Sequence, residues 1–229
     1  MIEHPELSSG HETQPSGDGL LVIICGPSGV GKDTIMKDLL EEKSFSRIIT
    51  TTTRPIRINE TEGIDYHFVS KDQFEKMIST NVLAEYVKYG DHYKGTTKDS
   101  LLQAINTNGT FIWRIDMSRA AKTEKSFKNL YDPETADAII EKTVVILLGI
   151  SRLTQLKDRI SKRGDLGRGE FIKRLKKDWD VWNNLKKQFN NIIICCNPNS
   201  GERLEDAIKK TSTGIIEVIE KHNNRLSQS

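Results

Sequence analysis

A glycine-rich loop between a short apolar run and a helical pattern constrains this chain more than any other feature. The run from Leu20 to Cys25 suits a buried strand, and residues 32–42 have the pattern of a helix. The glycines let backbone N–H groups curl around an anion, the helix N-terminus adds partial positive charge, and Lys32 reaches the outer phosphates. The sequence therefore predicts a phosphate-binding loop that consists of Gly26, Pro27, Ser28, Gly29, Val30, Gly31, Lys32, Asp33 and Thr34.

One position of this loop departs from the usual pattern. The residue after the lysine is usually a Ser or Thr that holds Mg²⁺, but here it is Asp33, and the hydroxyl follows one place later at Thr34. Phosphate binding depends on the backbone and on Lys32, so we expect it to survive this change. The hydroxyl that usually binds Mg²⁺ therefore stands one position later in the sequence.

The other apolar runs alternate with helical patterns, and this alternation predicts the fold class. Strands are predicted at residues 109–116, 143–150 and 191–196, and helices at residues 151–162 and from about Glu202 to His222. Strands separated by helices are typical of a mostly parallel sheet that helices cover on both faces. We therefore predict an α/β fold.

Length and local composition predict the domain organisation. A chain of 229 residues suits one α/β domain with small insertions. Residues 1–19 are polar and rich in Ser, Gly and Pro, which predicts a disordered tail before a domain at 20–229. Thr, Tyr, Gly and charged residues dominate 49–104, which indicates an inserted subdomain, and a charged segment with three glycines indicates a mobile lid at 158–174. The core then comprises residues 20–48, 105–157 and 175–229.

Charge and hydropathy exclude several classes of protein. The 34 Lys and Arg residues nearly balance the 32 Asp and Glu residues, and a net charge of +2 gives no support for binding to nucleic acid or a membrane surface. The longest apolar runs are far shorter than the roughly 20 residues that cross a bilayer. Cys25, Cys195 and Cys196 fit neither a disulfide framework nor a metal-ligand spacing, which favours a reducing cytoplasm.

Basic residues and tryptophans are interleaved in residues 173–187, a pattern that can also indicate nucleic-acid binding. The apolar residues of this region, however, follow the three- and four-residue steps of one amphipathic helix: Ile172, Leu175, Trp179, Trp182, Leu185 and Phe189. The periodicity therefore predicts that the tryptophans belong to the core and that the lysines lie on a solvated face.

A second cluster with phosphate chemistry follows the loop. Arg54 and Arg57 stand in an extended segment that contains a proline, so both can fork onto a second phosphate group, with the Tyr66 hydroxyl as a further donor. A surface hairpin with solvated charges would have a similar composition. The order of the residues distinguishes these readings, because TTTRPIRINETEGIDYHFV (51–69) resembles the GMP-binding segment of the guanylate kinase family, which has the form TTRxPRxxExxGxDYxFV.

The resemblance to the guanylate kinase family runs from about residue 20 to residue 220. It implies a P-loop nucleoside monophosphate kinase fold, with a small GMP-binding subdomain and a mobile lid. It also implies transfer of the γ-phosphoryl group of ATP to GMP, with dGMP as a further acceptor and Mg²⁺ bound with ATP. The substrates would be small molecules in the cytoplasm, and the oligomeric state stays open.

The same resemblance assigns roles to individual residues. Those implied to be catalytic are Lys32, Arg54, Arg159, Arg163 and Arg174, and Asn197 would join the loop in binding ATP. Those implied to bind GMP are Thr50, Arg54, Arg57, Tyr66, Glu85, Lys94, Gly95, Thr96 and Asp116. The chemistry favours the role of Glu85, since a carboxylate can accept from both N1–H and the 2-amino group of guanine, and adenine offers neither donor in that arrangement.

Several positions depart from the family pattern. Lys94 stands where the family usually has a second Tyr, Arg114 where it usually has Asp, and Ser118 and Arg119 where it usually has Gln and Gly. An inward Arg114 could pair with Asp33 or Asp116 and alter the field at Lys32, and we favour this orientation because residues two apart in a strand share a face. The connection from 118 to 142 is also longer than usual.

Two alternatives to a guanylate kinase remain. The first is a related kinase for another phosphorylated acceptor, because Lys94 and Arg114 are expected near the acceptor. The second is a non-catalytic interaction module, which the retained Lys32 and the lid arginines disfavour, since such a module needs no clamp for donor phosphates.

Overall fold

The computed structural model describes residues 17–41, 44–58, 60–149, 168–194 and 203–228. These residues form both helices and strands. In chain order they are β1 (Gly19–Cys25), α1 (Lys32–Leu40), β2 (Phe45–Arg47), β3 (Thr51–Thr52), β4 (His67–Phe68), α2 (Lys71–Ser79), β5 (Leu83–Tyr89), β6 (His92–Thr97), α3 (Lys98–Asn106), β7 (Gly109–Arg114), α4 (Met117–Ala120), α5 (Thr123–Leu130), α6 (Pro133–Glu141), β8 (Thr143–Gly149), α7 (Arg168–Leu185), β9 (Asn191–Ile194) and α8 (Leu204–Leu226).

The central sheet has five strands in the order β2-β7-β1-β8-β9, and all of its neighbouring pairs are parallel. β1 lies in the middle, with Ile23 opposite Trp113 on one side and Val145 on the other. Each parallel connection needs a crossover, and the helices supply it. The predicted α/β fold with a parallel central sheet is confirmed.

Side chains of β1 alternate between two apolar clusters, one on each face of the sheet. Leu21 and Ile23 belong to the cluster that contains residues of α3 to α7, whereas Val22 and Ile24 belong to the cluster that contains residues of α1 and α8. Both faces of β1 are therefore buried, as expected of a strand in a parallel sheet. The prediction of helices on both faces is confirmed.

The tryptophans of α7 pack into these clusters. Trp182 is buried and Trp179 is partly buried against the same apolar residues. Phe189, which follows a 3₁₀ turn after α7, is also buried. The core position predicted for the tryptophans is therefore confirmed.

A second sheet of four short strands, in the order β4-β3-β6-β5, lies within the range predicted for the inserted subdomain. β3 and β5 pair antiparallel with β6, and α2 packs against this sheet through the fully buried Phe74, whose ring stacks on Tyr93 with centroids 5.2 Å apart. α3 follows β6 directly and returns the chain to the core, where Leu101 and Ile105 are buried.

Some predicted boundaries differ from the structure. The strand predicted at 109–116 ends at Arg114, because Asp116 caps α4 through a hydrogen bond from the Ser118 N–H (2.8 Å). The first helix ends at Leu40, and the last continues to Leu226. The long connection from 118 to 142 folds into α4, α5 and α6. Residues 1–16 and 150–167, which include most of the predicted tail and lid, lie outside the described residues.

No described helix is long and apolar enough to span a membrane.

Substitution of Gly95 tests the close contact between β5 and β6. A Cβ atom at Gly95 would stand 2.6 Å from the Glu85 carbonyl oxygen, so we expect Gly95→Ala to lower the free energy of unfolding by about 1–3 kcal/mol. Gly214→Ala in α8 is the control, since its Cβ would meet nothing closer than 4.0 Å and should stabilise the helix by about 1 kcal/mol. Urea denaturation measures both changes, and equal effects would contradict the contact.

Candidate active site

The glycine-rich loop and Asp116 lie at one edge of the central sheet. Because β1, β7 and β8 are parallel, their carboxyl ends lie together, the edge at which α/β proteins commonly bind ligands. The glycine-rich loop follows β1, and Arg114 ends β7 with Asp116 two residues later. The sheet therefore brings together two groups that are far apart in sequence.

Glycine is required by the geometry of the loop. Gly26 has φ +152°, and a Cβ there would lie 2.4 Å from the carbonyl oxygen of Leu148 in β8. Gly31 has φ +108° directly before α1 begins at Lys32. The Lys32 ammonium donates to the carbonyls of Gly26 (2.7 Å) and Pro27 (2.8 Å), so its charge lies within the loop, at the amino end of the helix.

The surroundings of Lys32 lower the pKa of its ammonium group. Burial lowers the pKa of Lys32 to about 8, and the positive charge of Arg114 contributes to the decrease. Asp33 and Asp178 act in the opposite direction. Below pH 8 the ammonium is charged in a partly dehydrated setting, where its attraction for phosphate is stronger than in water.

Arg114 points into the site and pairs with Asp33, to which its guanidinium donates a hydrogen bond. The side chain of Arg114 is 25% exposed, and that of Asp33 is 57% exposed. The expectation of an inward arginine therefore agrees with the structure, and its partner is Asp33. The carboxylate of Asp116 instead caps α4.

Arg54 is held by a two-pronged contact with Glu60. Its two terminal nitrogens lie 2.6 and 2.5 Å from the Glu60 oxygens, and the Arg57 N–H donates to the same carboxylate (3.0 Å). These hydrogen bonds, that from Arg54 above all, hold the pKa of Glu60 at about 2. The guanidinium also lies 5.0 Å from the centre of the Tyr66 ring, whereas the Arg57 side chain is exposed.

Two further cations surround the Tyr66 ring. The ammonium of Lys94 lies 5.2 Å from the ring centre and the guanidinium of Arg47 lies 5.9 Å from it. Burial, followed by the charge of Arg114, lowers the pKa of Lys94 to about 8. The sequence analysis did not predict a role for Arg47. Its position at the end of a short strand, just before the Thr-rich segment, could have indicated that it lies near the site.

Glu85 belongs to a chain of hydrogen bonds that links the two sheets. Its Oε1 accepts from the Thr96 hydroxyl (3.0 Å), which in turn accepts from the indole N–H of Trp113 (3.0 Å). Its Oε2 lies 2.9 Å from Nη1 of Arg119. Burial raises the pKa of Glu85, while Arg119 and then Thr96 oppose the increase. The Glu85 side chain is 15% exposed, and contacts at both carboxylate oxygens hold its orientation.

Two neighbouring features complete the predicted base site. The Thr50 hydroxyl is buried and has no hydrogen-bond partner among the residues that the structure describes. Buried hydroxyls are usually hydrogen-bonded, so the Thr50 hydroxyl keeps an unused capacity to bind a polar group. Gly95 packs tightly against the Glu85 backbone and the ring of Phe74, which gives it a structural constraint as well.

Sequence reasoning also missed Asp178, which lies in α7 and contacts the glycine-rich loop. Its Oδ2 accepts a hydrogen bond from the Ser28 N–H (2.7 Å). The backbone of this loop therefore already holds one carboxylate, consistent with an anion-binding nest. The contact joins residues 150 positions apart and has no local signature.

Comparison with known proteins decides the family. A family model described as guanylate kinase matches residues 19–133. A guanylate kinase of Caldanaerobacter subterraneus subsp. tengcongensis is 36% identical over 199 residues, which cover 86% of this chain and 87% of that protein. The chain belongs to the guanylate kinase family. A guanylate kinase of Onion yellows phytoplasma is 35% identical over 92% of this chain and 90% of its own length.

The fold of the guanylate kinase family is also found by structural comparison. The crystal structure of guanylate kinase from Anaplasma phagocytophilum superposes with a TM-score of 0.63 and covers 90% of this chain and 87% of its own. Its sequence is 19% identical, so this similarity concerns the fold alone. The P-loop kinase fold implied by the sequence is confirmed.

Part of the site implied by the guanylate kinase resemblance cannot be placed. Arg159, Arg163 and Asn197 lie outside the described residues, and Arg174 lies in α7 where only the backbone is described. Thr34 is exposed in the first turn of α1, and Val30 is buried beneath the loop. The described site therefore comprises the glycine-rich loop, the Arg54 and Glu60 pair, Lys94, and the Glu85 network.

The pair between Arg54 and Glu60 can be tested by titration. We expect the Glu60 carboxyl to titrate at about pH 2 in carbon-detected NMR, and its pKa to return towards about 4.5 in Arg54→Met. Because the pKa is lowered in the folded state, the pair should stabilise the fold above about pH 4.5 and lose its effect as the pH falls towards 2. Lys128→Met, at a surface pair with Glu124, is the control. A Glu60 pKa near 4.5 in the unsubstituted protein would contradict the contact.

Proposed function

We propose that this protein transfers the γ-phosphoryl group of ATP to GMP or dGMP and releases ADP and GDP or dGDP. The observation that carries the proposal is the fixed carboxylate of Glu85, which stands on the second sheet and is joined to the phosphate-loop sheet through Thr96 and Trp113. Glu85, which would bind the base, and the phosphate-binding loop are thus connected through hydrogen bonds between the two sheets. Membership of the guanylate kinase family supports the same reaction.

The acceptor base is read by donor and acceptor complementarity. Each carboxylate oxygen of Glu85 keeps a lone pair beyond its present contact, and guanine offers N1–H and the 2-amino group to them. Adenine would turn an unprotonated N1 towards the buried carboxylate and leave it unpaired. The unsatisfied hydroxyl of Thr50 supplies a further polar contact, and Thr96 holds the carboxylate in place.

The acceptor phosphate is bound by the cations around Tyr66. Arg54 is oriented by Glu60 and Tyr66, Lys94 lies over the same ring, and Arg57 stands exposed at the rim. A planar guanidinium binds two phosphate oxygens at once, whereas Lys94 acts as a point charge. Gly95 and Asp116 complete the acceptor site, on the basis of the family resemblance.

The donor phosphates are bound by the loop from Gly26 to Thr34. Its backbone N–H groups and Lys32 would neutralise the phosphates of ATP at the amino end of α1. Arg159, Arg163 and Arg174 would close over the transferring group, and Asn197 would contact the donor base. Closure of this lid would exclude water that could otherwise take the phosphoryl group.

The residues present fit a magnesium ion bound with ATP. Magnesium prefers oxygen ligands, and Asp33 and Thr34 present a carboxylate and a hydroxyl directly after Lys32 at the exposed start of α1. The ion would neutralise charge on the donor phosphates. These two residues would hold it, and Arg114 fixes the position of the Asp33 carboxylate.

Catalysis then consists of positioning and charge neutralisation, without a covalent enzyme intermediate. An oxygen of the GMP phosphate attacks the γ-phosphorus, the bond from that phosphorus to the bridging oxygen breaks, and ADP leaves with the electron pair. Lys32 and Arg54 hold the two reacting phosphates in line. We place this reaction in the cytoplasm, which suits three cysteines whose spacing fits neither a disulfide framework nor a metal site.

A related kinase with another acceptor is the second candidate, because Lys94 stands in the acceptor site where the family usually has Tyr. A coupled assay with ATP and each of GMP, dGMP, AMP, UMP and CMP decides between the candidates. We expect activity with GMP and dGMP, and a kcat/KM for GMP at least about 10³-fold above that for AMP. Activity with another nucleotide alone would support the second candidate, and no turnover with any would support an interaction module.

Glu85→Gln tests base choice directly. The amide keeps one acceptor but turns a donor towards the base, so we expect kcat/KM for GMP to fall by about 10²-fold or more while that for AMP changes little. Steady-state kinetics with both nucleotides measures the change. Glu124→Gln, at an exposed surface position, is the matched control. Unchanged preference in Glu85→Gln would remove this carboxylate from the base site.

The lowered pKa of Lys32 predicts the pH dependence of ATP use. Since the charged ammonium binds phosphate, kcat/KM for ATP should hold below about pH 8 and fall above it. Arg114→Met removes a charge that lowers this pKa, so the decline should move to higher pH. Lys32→Met should lower kcat by about 10²-fold or more with little change in GMP affinity.

Lys37→Met, at an exposed position of the same helix, is the control for both measurements. Near-normal turnover in Lys32→Met would overturn the proposed role of the loop. A pH profile that Arg114→Met leaves in place would show that Arg114 does not act on Lys32.

A further inference from the structure

We propose that the carboxylate of Asp178 is an internal competitor of the donor phosphates, which binds the glycine-rich loop itself and lowers the affinity of this protein for ATP. The inference rests on the proposed function, since it concerns the loop that would bind ATP, and it adds a residue that sets donor affinity. Asp178 lies in α7, 150 positions from the loop residue that it contacts.

A backbone N–H group of the loop donates a hydrogen bond to this carboxylate. The Ser28 nitrogen lies 2.7 Å from Oδ2 of Asp178, a distance typical of a charge-assisted hydrogen bond. The positive φ angles of Gly26, Gly29 and Gly31 bend the loop on both sides of Ser28, and such bends let backbone N–H groups surround an anion. A carboxylate offers acceptor oxygens and negative charge, as a phosphate does. Asp178 therefore makes the kind of contact that a donor phosphate would make.

Asp178 also acts on the cation of the loop. Its charge contributes to raising the pKa of Lys32, against the larger effect of burial. The ammonium of Lys32 thus lies within electrostatic range of Asp178, while it donates to the carbonyls of Gly26 and Pro27. Like charges repel, so a phosphate bound to Lys32 and the loop would be repelled by the same carboxylate.

The core fixes the position of Asp178 beside the loop. The next residue, Trp179, packs against both apolar clusters, and Trp182, one turn after Asp178, is 5% exposed. Because these contacts anchor α7, the carboxylate binds the loop without the loss of freedom that an unattached anion would suffer. The Asp178 side chain is only partly buried, so it can leave Ser28 by rotation about its own bonds while the helix stays in place.

ATP can displace the carboxylate, because its phosphates carry more charge and more acceptor oxygens than one carboxylate does. Displacement removes the hydrogen bond from Ser28 and weakens the attraction between Asp178 and Lys32. The affinity for ATP is therefore lower than that of a loop without this competitor. The same argument applies to ADP, so the carboxylate would also favour release of this product.

A purely structural role of Asp178 has the opposite consequence. If its hydrogen bond with Ser28 only held the loop in the conformation that binds phosphate, loss of the carboxylate would weaken phosphate binding. If Asp178 competes with phosphate, loss of its charge strengthens phosphate binding. The sign of the change in affinity therefore distinguishes competition from support.

Asp178→Asn tests the proposal, because the amide oxygen can still accept from the Ser28 N–H but carries no charge. Isothermal titration calorimetry at neutral pH, without GMP, measures the affinities for inorganic pyrophosphate, ATP and adenosine. We expect the affinities for pyrophosphate and ATP to rise by about fivefold or more. The affinity for adenosine, which has no phosphate, should change by less than about twofold.

Asp180→Asn, at an exposed position of the same helix, is the matched control for the loss of one negative charge. A fall or no change in the pyrophosphate affinity of Asp178→Asn would overturn the proposal, and so would an equal rise in Asp180→Asn or for adenosine. Asp178→Ser gives the same comparison if Asp178→Asn does not fold. Because these affinities are measured without an acceptor, absence of GMP phosphorylation would reject the proposed function and leave this comparison intact.

Discussion

Crowding of positive charge at one edge of the central sheet is the constraint on which the rest of this structure depends. A site for several phosphates needs cations held close together, and like charges in a partly buried place destabilise one another. This destabilisation lowers the pKa values of Lys32 and Lys94 to about 8, through burial first and then through the charge of Arg114. The fold has to supply carboxylates of its own to keep these groups in place.

Those carboxylates also connect the parts of the molecule. Asp33 of α1 pairs with Arg114 of β7, so the start of the loop helix is tied to the neighbouring strand. Glu85 on the second sheet binds Arg119 on α4, and Trp113 on the central sheet donates to Thr96 on the second. The contacts that position these cations and Glu85 are therefore the same contacts that join the two sheets.

Local patterns made the scaffold predictable. The glycine-rich loop, the buried strands and the stripe with Trp182 depend on neighbouring residues and on periodicity, and the structure confirms the fold that they predict. The pairings of Arg119 with Glu85 and of Asp178 with Ser28 depend on chain crossings that join residues distant in sequence, and neither leaves a local signature. The three short helices between Met117 and Glu141 were not predicted from the sequence either.

The departures from the family pattern are coupled and have to be interpreted as pairs. Asp33 replaces a neutral hydroxyl and Arg114 replaces an acid, and the structure pairs the two, so each substitution compensates the charge of the other. Changing Arg114 to Asp alone would leave two carboxylates facing each other beside Lys32, a worse arrangement than either the present pair or the usual one. The effect of Arg114 on turnover is therefore a property of the pair, and Asp33 has to be changed with it before the present site can be compared with that of a typical family member.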